Sequence, residues 1–411
     1  MATIARNDLQ GDGAVANITN VHHLASYSWI ESLTPTIAVP GIPAKWSPPN
    51  RIKRLPKDSG LIYISQNAAR HPDSPLEPLF RALYMTDPAF EMRSVDLISD
   101  RNNLRKLLSF VDSSSSQKGL ERFTIDVEVT GGTVIFSRTE TQTTEIIAPH
   151  EFKGFGHEFE KAYTTCAIGD STGHHRIVSY CLGGMRLMVR YEVDGYVDED
   201  CSLPGRNKTM GDEADLSALL GNMSLSTTHD LFPVKAATKL PGSKLTIRQE
   251  GREVPIESTL EIKTRVAHKP LSITDVASQL WLSQTPKLVR AYHRQGMFQQ
   301  TQVEDVTMEL KDWKRSHQIV LNKFVFLLEK ILKVVKGIGG RAVVEYNPTA
   351  DSMVVRPVEG KPMLPEDLYE RWRHSDLKSL PNRKKPSSNS AMTDGLPGST
   401  STVGLSSGEG N

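Results

Sequence analysis

Four stretches of the chain alternate hydrophobic and polar residues as half-buried β-strands do. They are residues 123–129 and 134–138, followed by residues 176–180 and 185–193. Each pair is separated by two adjacent glycines, Gly131-Gly132 and Gly183-Gly184, which are typical of hairpin turns. The pattern therefore predicts two β-hairpins. A further strand is predicted at residues 287–292.

Helical spacing of apolar residues predicts the helices. They are residues 101–111, a turn into a helix at 154–165, a helix at 271–282 and a long amphipathic helix at 313–335. The longest of them carries a stripe that we expect to face the core: Ile319, Phe324, Leu327, Leu328, Ile331 and Val335. The spacing favours a buried stripe over a groove for a partner helix.

Polar stretches divide the chain into one domain with flexible ends. Residues 1–20 are predicted to be a flexible lead-in, and repeated prolines predict extended chain at residues 35–49. Residues 198–256 are predicted to be a largely polar insertion loop, and residues 374–411 a disordered tail rich in Ser and Gly. The globular domain is expected to span residues 21–373.

Composition narrows the functional classes only slightly. The net charge is +1, so any surface that binds phosphate has to be local. The three cysteines, Cys166, Cys181 and Cys201, have no CxxC spacing, which argues for a reducing compartment and against a zinc site. No segment approaches the ~18 apolar residues of a membrane span. We expect an intracellular protein of the nucleus or the cytoplasm, with no membrane partner.

Charged residues alternate with apolar residues at two strand positions. Glu192 and Asp194 end one apolar run, and Glu261 and Lys263 lie in another. Alternation places each pair on one face of its strand. Carboxylates beside a lysine suit a hard divalent cation and phosphodiester hydrolysis. Similar triplets at residues 151–153 and 213–215 are not flanked by predicted strands. The structural alternative for Glu192/Asp194 and Glu261/Lys263 is an ordinary alternating strand whose charged face lies in water.

Three more residues are candidates, each with an ordinary structural alternative. Glu160 ends the segment GHEFE at a helix start, where it could face the site or, like Glu158, lie in solvent. Arg101 opens a helix and could bind a phosphate, or pair with Asp100 or Glu91. Gln279 is a polar residue in an apolar helix that could contact a substrate or cap a strand.

The order of these segments resembles the DXO family of RNA 5′-end decapping nucleases, which are related to the PD-(D/E)XK nucleases. The matching segments are Arg101, GHEFE at residues 156–160, EVD at 192–194, EIK at 261–263 and SQLW at 278–281, within about residues 95–358. The resemblance implies an α/β (α+β mixed) fold, in which central mixed β-sheets form a cleft, flanked by helices, around a PD-(D/E)XK-like core. One departure is His157, which stands where the family has an apolar residue.

The resemblance also implies roles for individual residues. Glu160, Asp194, Glu261 and the carbonyl of Ile262 would hold Mg²⁺ or Mn²⁺, with two ions expected, and Glu192 would act through a coordinated water. Lys263 would orient the attacking water, and Arg101 and Gln279 would bind the RNA end. The expected catalytic residues are Glu192, Asp194, Glu261 and Lys263.

The expected function is metal-dependent processing of the 5′ end of single-stranded RNA, by decapping, pyrophosphate release or 5′-to-3′ exonuclease action. The sequence does not choose among these reactions. One alternative is a PD-(D/E)XK nuclease acting on DNA. Another is a non-catalytic partner that stabilises a 5′-to-3′ exoribonuclease.

Overall fold

Two mixed β-sheets organise the residues that the structure, a computed structural model, describes: 1–11, 15–112, 120–198, 237–240 and 242–373. The larger sheet has 12 strands in the order β1-β21-β20-β7-β8-β6-β12-β11-β2-β3-β15-β14. Its strands are β1 Ala2–Ala5, β2 Ile18–Ile30, β3 Thr36–Gly41, β6 Leu97–Asp100, β7 Phe123–Thr130, β8 Thr133–Arg138, β11 Ser171–Leu182, β12 Met185–Val193, β14 Thr238–Lys239, β15 Thr246–Gly251, β20 Arg341–Asn347 and β21 Ser352–Pro357.

The smaller sheet has 7 strands in the order β10-β4-β13-β16-β17-β18, with β19 also paired to β17. They are β4 Lys45–Trp46, β10 Thr164–Thr165, β13 Gly195–Tyr196, β16 Thr259–Val266, β17 Lys287–Arg294, β18 Met297–Phe298 and β19 Val303–Asp305. A separate pair joins β5 Gly60–Tyr63 to β9 Thr144–Ile147. The 12-stranded and the 7-stranded sheet each contain parallel and antiparallel neighbours. β6 runs parallel to β8 and β12, and β16 runs parallel to β17. β11 and β12 are antiparallel, as are β17 and β18.

Helices cover both faces of the larger sheet. The α-helices in the described residues are α1 Gln66–Arg70, α2 Glu77–Thr86, α3 Arg101–Val111, α4 Gly156–Tyr163, α5 Ala277–Ser283, α6 Thr307–Ser316, α7 Gln318–Ile338 and α8 Glu366–Arg373. Leu107 of α3 and Phe324 of α7 pack in one core, and Phe80 of α2 and Trp372 of α8 pack in another.

Central strands supply apolar residues to both cores. In β12, Leu187 and Val189 face the core of α3 and α7, whereas Met188 between them faces the core of α2 and α8. A strand buried on both faces becomes a nearly continuous apolar run, as the segment MRLMV shows. The mixed α/β architecture with helices flanking mixed sheets agrees with the prediction, and both predicted hairpins form, as β7-β8 and β11-β12.

The N-terminal residues differ from the flexible segment expected for residues 1–20. β1 pairs antiparallel with β21 at the edge of the larger sheet, and Ile4 is fully buried. Four residues are too few to show alternation, so this strand gave no sequence signal. The 13-residue strand β2 was missed as well, although its second half is buried throughout.

The predicted insertion at residues 198–256 ends earlier than expected. β15 pairs in parallel with β3, and Ile247 is buried against the second core. Its pairing partner lies far back in the sequence, so local composition did not reveal it. Residues 199–236, which make up most of the predicted insertion, and the predicted tail at 374–411 lie outside the described residues.

Two predicted helices have different bounds in the structure. The helix expected at residues 271–282 begins only at Ala277, because a 3-10 turn, Ile273–Asp275, precedes it. The helix expected at 313–335 is two helices that meet at His317, where the Ser316 hydroxyl donates to the Trp313 carbonyl at 2.9 Å. The expectation that Ile319 faces the core is wrong: its side chain is 69% exposed. Ile319 lies two residues before buried Leu321, which places it on the opposite helix face.

In the described residues, none of the helices combines the length and the apolar character needed to cross a membrane.

Candidate active site

Glu192 and Asp194 lie where the chain passes from the larger sheet to the smaller one. β12 ends at Val193, and β13 begins at Gly195 and pairs with β16. Tyr191 and Val193 point into the core beside α3, so alternation turns Glu192 and Asp194 to the other side. Asp194 is anchored there, because its Oδ2 accepts the backbone N–H of Ile262 at 2.7 Å.

β16 brings the second pair of predicted residues to the same place. Leu260 and Ile262 pack among the aromatic residues of the small-sheet core, which leaves Glu261 and Lys263 on the opposite face. Glu261 is only 2% exposed. Lys263 Nζ forms a short ion pair with Glu261 Oε1 and lies 3.9 Å from Asp194 Oδ2. It also donates to the Ile262 carbonyl at 3.2 Å.

Arg101 and Gln279 both contact Glu261. Arg101 Nη1 donates to Glu261 Oε2 at 3.2 Å, and its guanidinium lies over the Tyr191 ring, 5.4 Å from the centroid. Gln279 Nε2, on α5, forms a short hydrogen bond with Glu261 Oε1. The alternative partner of Arg101, Asp100, instead binds Arg190 through two hydrogen bonds of 2.6 and 2.9 Å.

Helix α4 adds Glu160 to this group. Phe159 is fully buried in the small-sheet core, and Glu160 follows it on the side of Asp194 and Lys263, whose charges act on its pKa. Glu158 pairs with Lys161 at 2.8 Å instead. His157 is exposed, with its Nδ1 3.5 Å from Asp58 Oδ2, so the polar residue in the apolar slot of the motif does not disturb the packing.

Burial and crowding of like charges raise the pKa values of three carboxyl groups. Burial, followed by repulsion from Asp194, raises the pKa of Glu160 well above its usual value. Burial and the charge of Glu261 raise the pKa of Asp194 to about 7, although Lys263 acts to lower it. Glu192 is exposed to the adjacent cavity, but the surrounding protein removes part of its hydration. This burial raises the pKa of Glu192, although the charge of Arg101 acts to lower it.

Glu261 and Lys263 are held in their charged forms. Burial acts to raise the pKa of Glu261, but Lys263 and Arg101 outweigh it and lower the pKa to about 2. Burial acts to lower the pKa of Lys263, but Glu261 and Asp194 outweigh it and raise the pKa. The site therefore combines an ion pair held in its charged form with three carboxyl groups whose pKa values are raised, that of Asp194 to about 7.

The residues fit a hard divalent cation by donor type and charge. Carboxylates of Glu160, Asp194 and Glu261 and the Ile262 carbonyl are the oxygen ligands that Mg²⁺ and Mn²⁺ prefer. Burial and, after it, neighbouring carboxylates raise the pKa values of Glu160 and Asp194, and a cation would compensate that negative charge. In the described residues, no three His, Cys, Asp or Glu side chains form a ready-made metal-binding group. Lys263, Gln279 and Arg101 contact the Glu261 oxygens.

A family described as "Domain of unknown function (DUF8563)" matches residues 1–372. The chain belongs to this family. No curated protein sequence matches the DUF8563 chain significantly.

Solved structures of Rai1 resemble this DUF8563 chain. S. pombe Rai1 in complex with 3′-FADP is 13% identical, with a TM-score of 0.55 and coverage of 87% of this chain and 99% of that one. Scheffersomyces stipitis Rai1 in complex with (3′-NADP)⁺ and calcium is 12% identical, with a TM-score of 0.56 and coverage of 91% and 100%. Candida albicans Rai1 in complex with pU5-Mn²⁺ is 11% identical, with a TM-score of 0.53 and coverage of 91% and 99%.

These similarities confirm the predicted fold. Rai1 is a member of the DXO family, and the likeness covers most of the DUF8563 chain. Because the identities are low, the likeness shows the fold alone. The roles of Glu160, Asp194, Glu261 and the other site residues remain predictions.

Two residues beside the site of the DUF8563 chain, Asp58 and Arg105, were not predicted from the sequence. Asp58 lies far from α4 in the sequence, yet its Oδ1 accepts the backbone N–H of Glu158 at 3.0 Å and so holds the start of the helix that carries Glu160. No local pattern marks it. Arg105 follows Arg101 by four residues, a spacing that places both on one helix face and could have been noticed.

Proposed function

We propose that this protein is a divalent-metal-dependent hydrolase that processes the 5′ ends of single-stranded RNA. The observation that supports the proposal is the convergence of Glu160, Asp194 and Glu261 with Lys263 from three separate elements, α4, the end of β12 and β16. The Rai1 structures with pU5-Mn²⁺ and with calcium and (3′-NADP)⁺ support the choice of cation and substrate.

Glu160, Asp194, Glu261 and the Ile262 carbonyl would hold Mg²⁺ or Mn²⁺ in this site. When bound, such a cation neutralises charge on the phosphate oxygens and lowers the pKa of water. Two ions would suit the number of carboxylates, and Glu192, exposed to the adjacent cavity, would contact this centre through water.

The chain's own groups position the substrate and handle protons. Lys263 Nζ stands between Glu261 and Asp194, where its positive charge can orient a water molecule and stabilise charge that develops on the phosphate. Without a cation, the pKa of about 7 lets the Asp194 carboxyl hold a proton near neutral pH, and a bound cation would displace that proton. Arg101 lines the adjacent cavity and offers further N–H donors to an RNA phosphate.

The test is hydrolysis of RNAs that differ only at the 5′ end, in Mn²⁺ or Mg²⁺, with a DNA of matching sequence beside them. The wild type should process at least one RNA end, and Glu261→Gln and Lys263→Met should each reduce the rate at least 100-fold. Glu257→Gln is the matched control, because Glu257 is exposed just before β16. Full activity in Glu261→Gln would contradict the proposal.

The same assay separates the rival functions. Equal or preferred cleavage of the DNA would favour a DNA nuclease. A folded wild type that binds Mn²⁺ and processes none of the RNAs would favour a non-catalytic partner of a 5′-to-3′ exoribonuclease.

A further inference from the structure

A pocket of about 220 Å³ lies behind α5, away from the predicted metal site. The end of α5 and the residues that follow it, the helix α6 and the start of β2 form its walls. Gln279 of α5 contacts Glu261, whereas Trp281, two residues further along, lines the pocket. Two residues turn a helix by roughly 200°, so the pocket and the predicted metal site lie on different sides of α5.

The floor of this pocket is apolar. Leu280 and Trp281 of α5 are buried there, and Ile18 of β2 and Leu310 of α6 are half-buried beside them. An apolar cavity of about 150 Å³ is large enough to bind benzene. The pocket therefore has both the volume and the surface to receive an aromatic or branched apolar group.

Two lysines of α6, Lys311 and Lys314, line the pocket above this floor. They are three positions apart and so lie on the same face of the helix. Lys314 Nζ donates to the uncharged Asn17 amide oxygen at 2.9 Å. No carboxylate lines the pocket, and within the described ranges neither lysine forms an ion pair. Two positive charges thus border an apolar pocket without a compensating negative charge.

The acidic residues of α6 are paired with other side chains. Glu309 pairs with Arg290 at 2.8 Å, and Asp312 pairs with Arg315 at 3.2 Å. The carboxylates nearest to the two lysines in the sequence are therefore engaged elsewhere.

Trp281 adds a donor without a partner to the pocket wall. The indole N–H groups of Trp29 and Trp372 donate to Asn67 Oδ1 at 3.0 Å and to Thr133 Oγ1 at 3.1 Å. The indole N–H of Trp281 has no acceptor in the part of the chain that the structure describes. Buried indole N–H groups usually have one. A bound molecule with acceptor oxygens would supply it.

We propose that this pocket binds a small organic acid, with its carboxylate at Lys311 and Lys314 and its aromatic or branched apolar body against Leu280 and Trp281. The lysines supply charge-assisted hydrogen bonds to the carboxylate. The floor removes the apolar body from water. This inference is independent of the proposed function, because none of the residues of the predicted metal site takes part in it.

The test is nuclear magnetic resonance of the full chain with isotope-labelled tryptophan. The chain has five tryptophans, and the indole N–H signal that is missing from Trp281→Phe identifies Trp281. The probe is hydrocinnamate, a phenyl ring joined to a carboxylate by a short chain. It should move the Trp281 signal with a dissociation constant of about 1 mM or tighter. Its amide, which has the same shape without the charge, should bind about fivefold more weakly or worse.

Lysine variants test the charged part of the pocket. Lys311→Gln and Lys314→Gln should each weaken hydrocinnamate binding about threefold or more, and the double variant about tenfold or more. Lys333→Gln, at an exposed lysine of α7, is the matched control and should bind as the wild type does. Thermal unfolding monitored by circular dichroism verifies that each variant is folded.

Three results would overturn the proposal. They are equal binding of the acid and the amide, wild-type affinity in the double lysine variant, and a Trp281 signal that does not move at about 20 mM hydrocinnamate.

A free acid and the C-terminal residue of a peptide share this chemistry, and a further ligand distinguishes them. N-acetyl-Gly-Gly-Phe carries the same ring and carboxylate at the end of a peptide. We expect it to bind more weakly than hydrocinnamate, because the pocket volume suits a single ring with a short chain. Tighter binding of the peptide that depends on both lysines would support the site and assign it to a peptide C-terminus.

Discussion

Replacing Asp194 with asparagine is expected to stabilise the metal-free protein above neutral pH. Burial and the charge of Glu261 raise the pKa of Asp194 to about 7, whereas an aspartate in an unfolded chain titrates near ~3.9. The folded protein therefore binds this proton more tightly than the unfolded chain does. Stability from this group is lost as the pH rises from about 4 to about 7 and stays low above that range.

The magnitude follows from the same values. Each pKa unit corresponds to about 1.36 kcal/mol, so the interval from pH 5 to pH 7 is worth roughly 2–3 kcal/mol of unfolding free energy. Asparagine keeps an oxygen that can accept the Ile262 N–H, so the anchoring hydrogen bond can survive the substitution. The substitution also removes the repulsion between Asp194 and Glu160, which helps to raise the pKa of Glu160.

The assay is urea unfolding of wild type and Asp194→Asn in EDTA at pH 5, 6, 7 and 8. The difference in unfolding free energy should grow by roughly 2–3 kcal/mol in favour of the variant between pH 5 and pH 8. Asp312→Asn serves as the control, because Asp312 is 66% exposed and pairs with Arg315 across a helix turn. A difference that is independent of pH, or that favours the wild type at pH 8, would refute the reasoning.

Three further predictions concern the surroundings of the site. Asp58→Ala should lower the unfolding free energy by about 1 kcal/mol and weaken Mn²⁺ binding, because the start of α4 loses a hydrogen-bond acceptor. Asp58→Asn should recover most of the stability measured by urea unfolding. Arg190→Met should cost about 3–5 kcal/mol in the same measurement, because Asp100 is left buried without its partner; a loss below 1 kcal/mol would count against that role. Gly173→Ala should reduce RNA turnover at least tenfold with an unchanged circular dichroism spectrum. A Cβ at this position would lie 2.4 Å from Gln66 Oε1 and 2.9 Å from Glu192 Oε1. The control variant Gly169→Ala should be active, because Gly169 has open space around it.

The pairs Glu192/Asp194 and Glu261/Lys263 could be found from the sequence because strand alternation is a local property. Each pair lies at spacing two within an apolar run, and the structure places both pairs at the junction of the two sheets. Arg101 and Gln279 were found by motif order, and both contact Glu261. Their catalytic and binding roles remain predictions that the experiments above address.

Features that depend on distant contacts could not be read from local patterns. Asp58 reaches α4 across 100 positions of the chain. β15 finds its neighbour β3 through parallel pairing, which has no hairpin signal. The break at His317 contains neither proline nor glycine, and it arises because the Ser316 and His317 side chains both bind the Trp313 carbonyl. Ile319 lies after that break, within α7, and its exposure follows from its position on the helix face opposite Leu321.

Hydrolysis at an RNA 5′ end by the Glu261 site can be tested with one RNA sequence in linear and circular form. Both are incubated with Mn²⁺ and either wild type or Glu261→Gln, and the products are separated on a denaturing gel. We expect the wild type to process the linear RNA and to leave the circle intact, and Glu261→Gln to process neither. Cutting of the circle at the rate of the linear RNA, or full activity of Glu261→Gln, would contradict it.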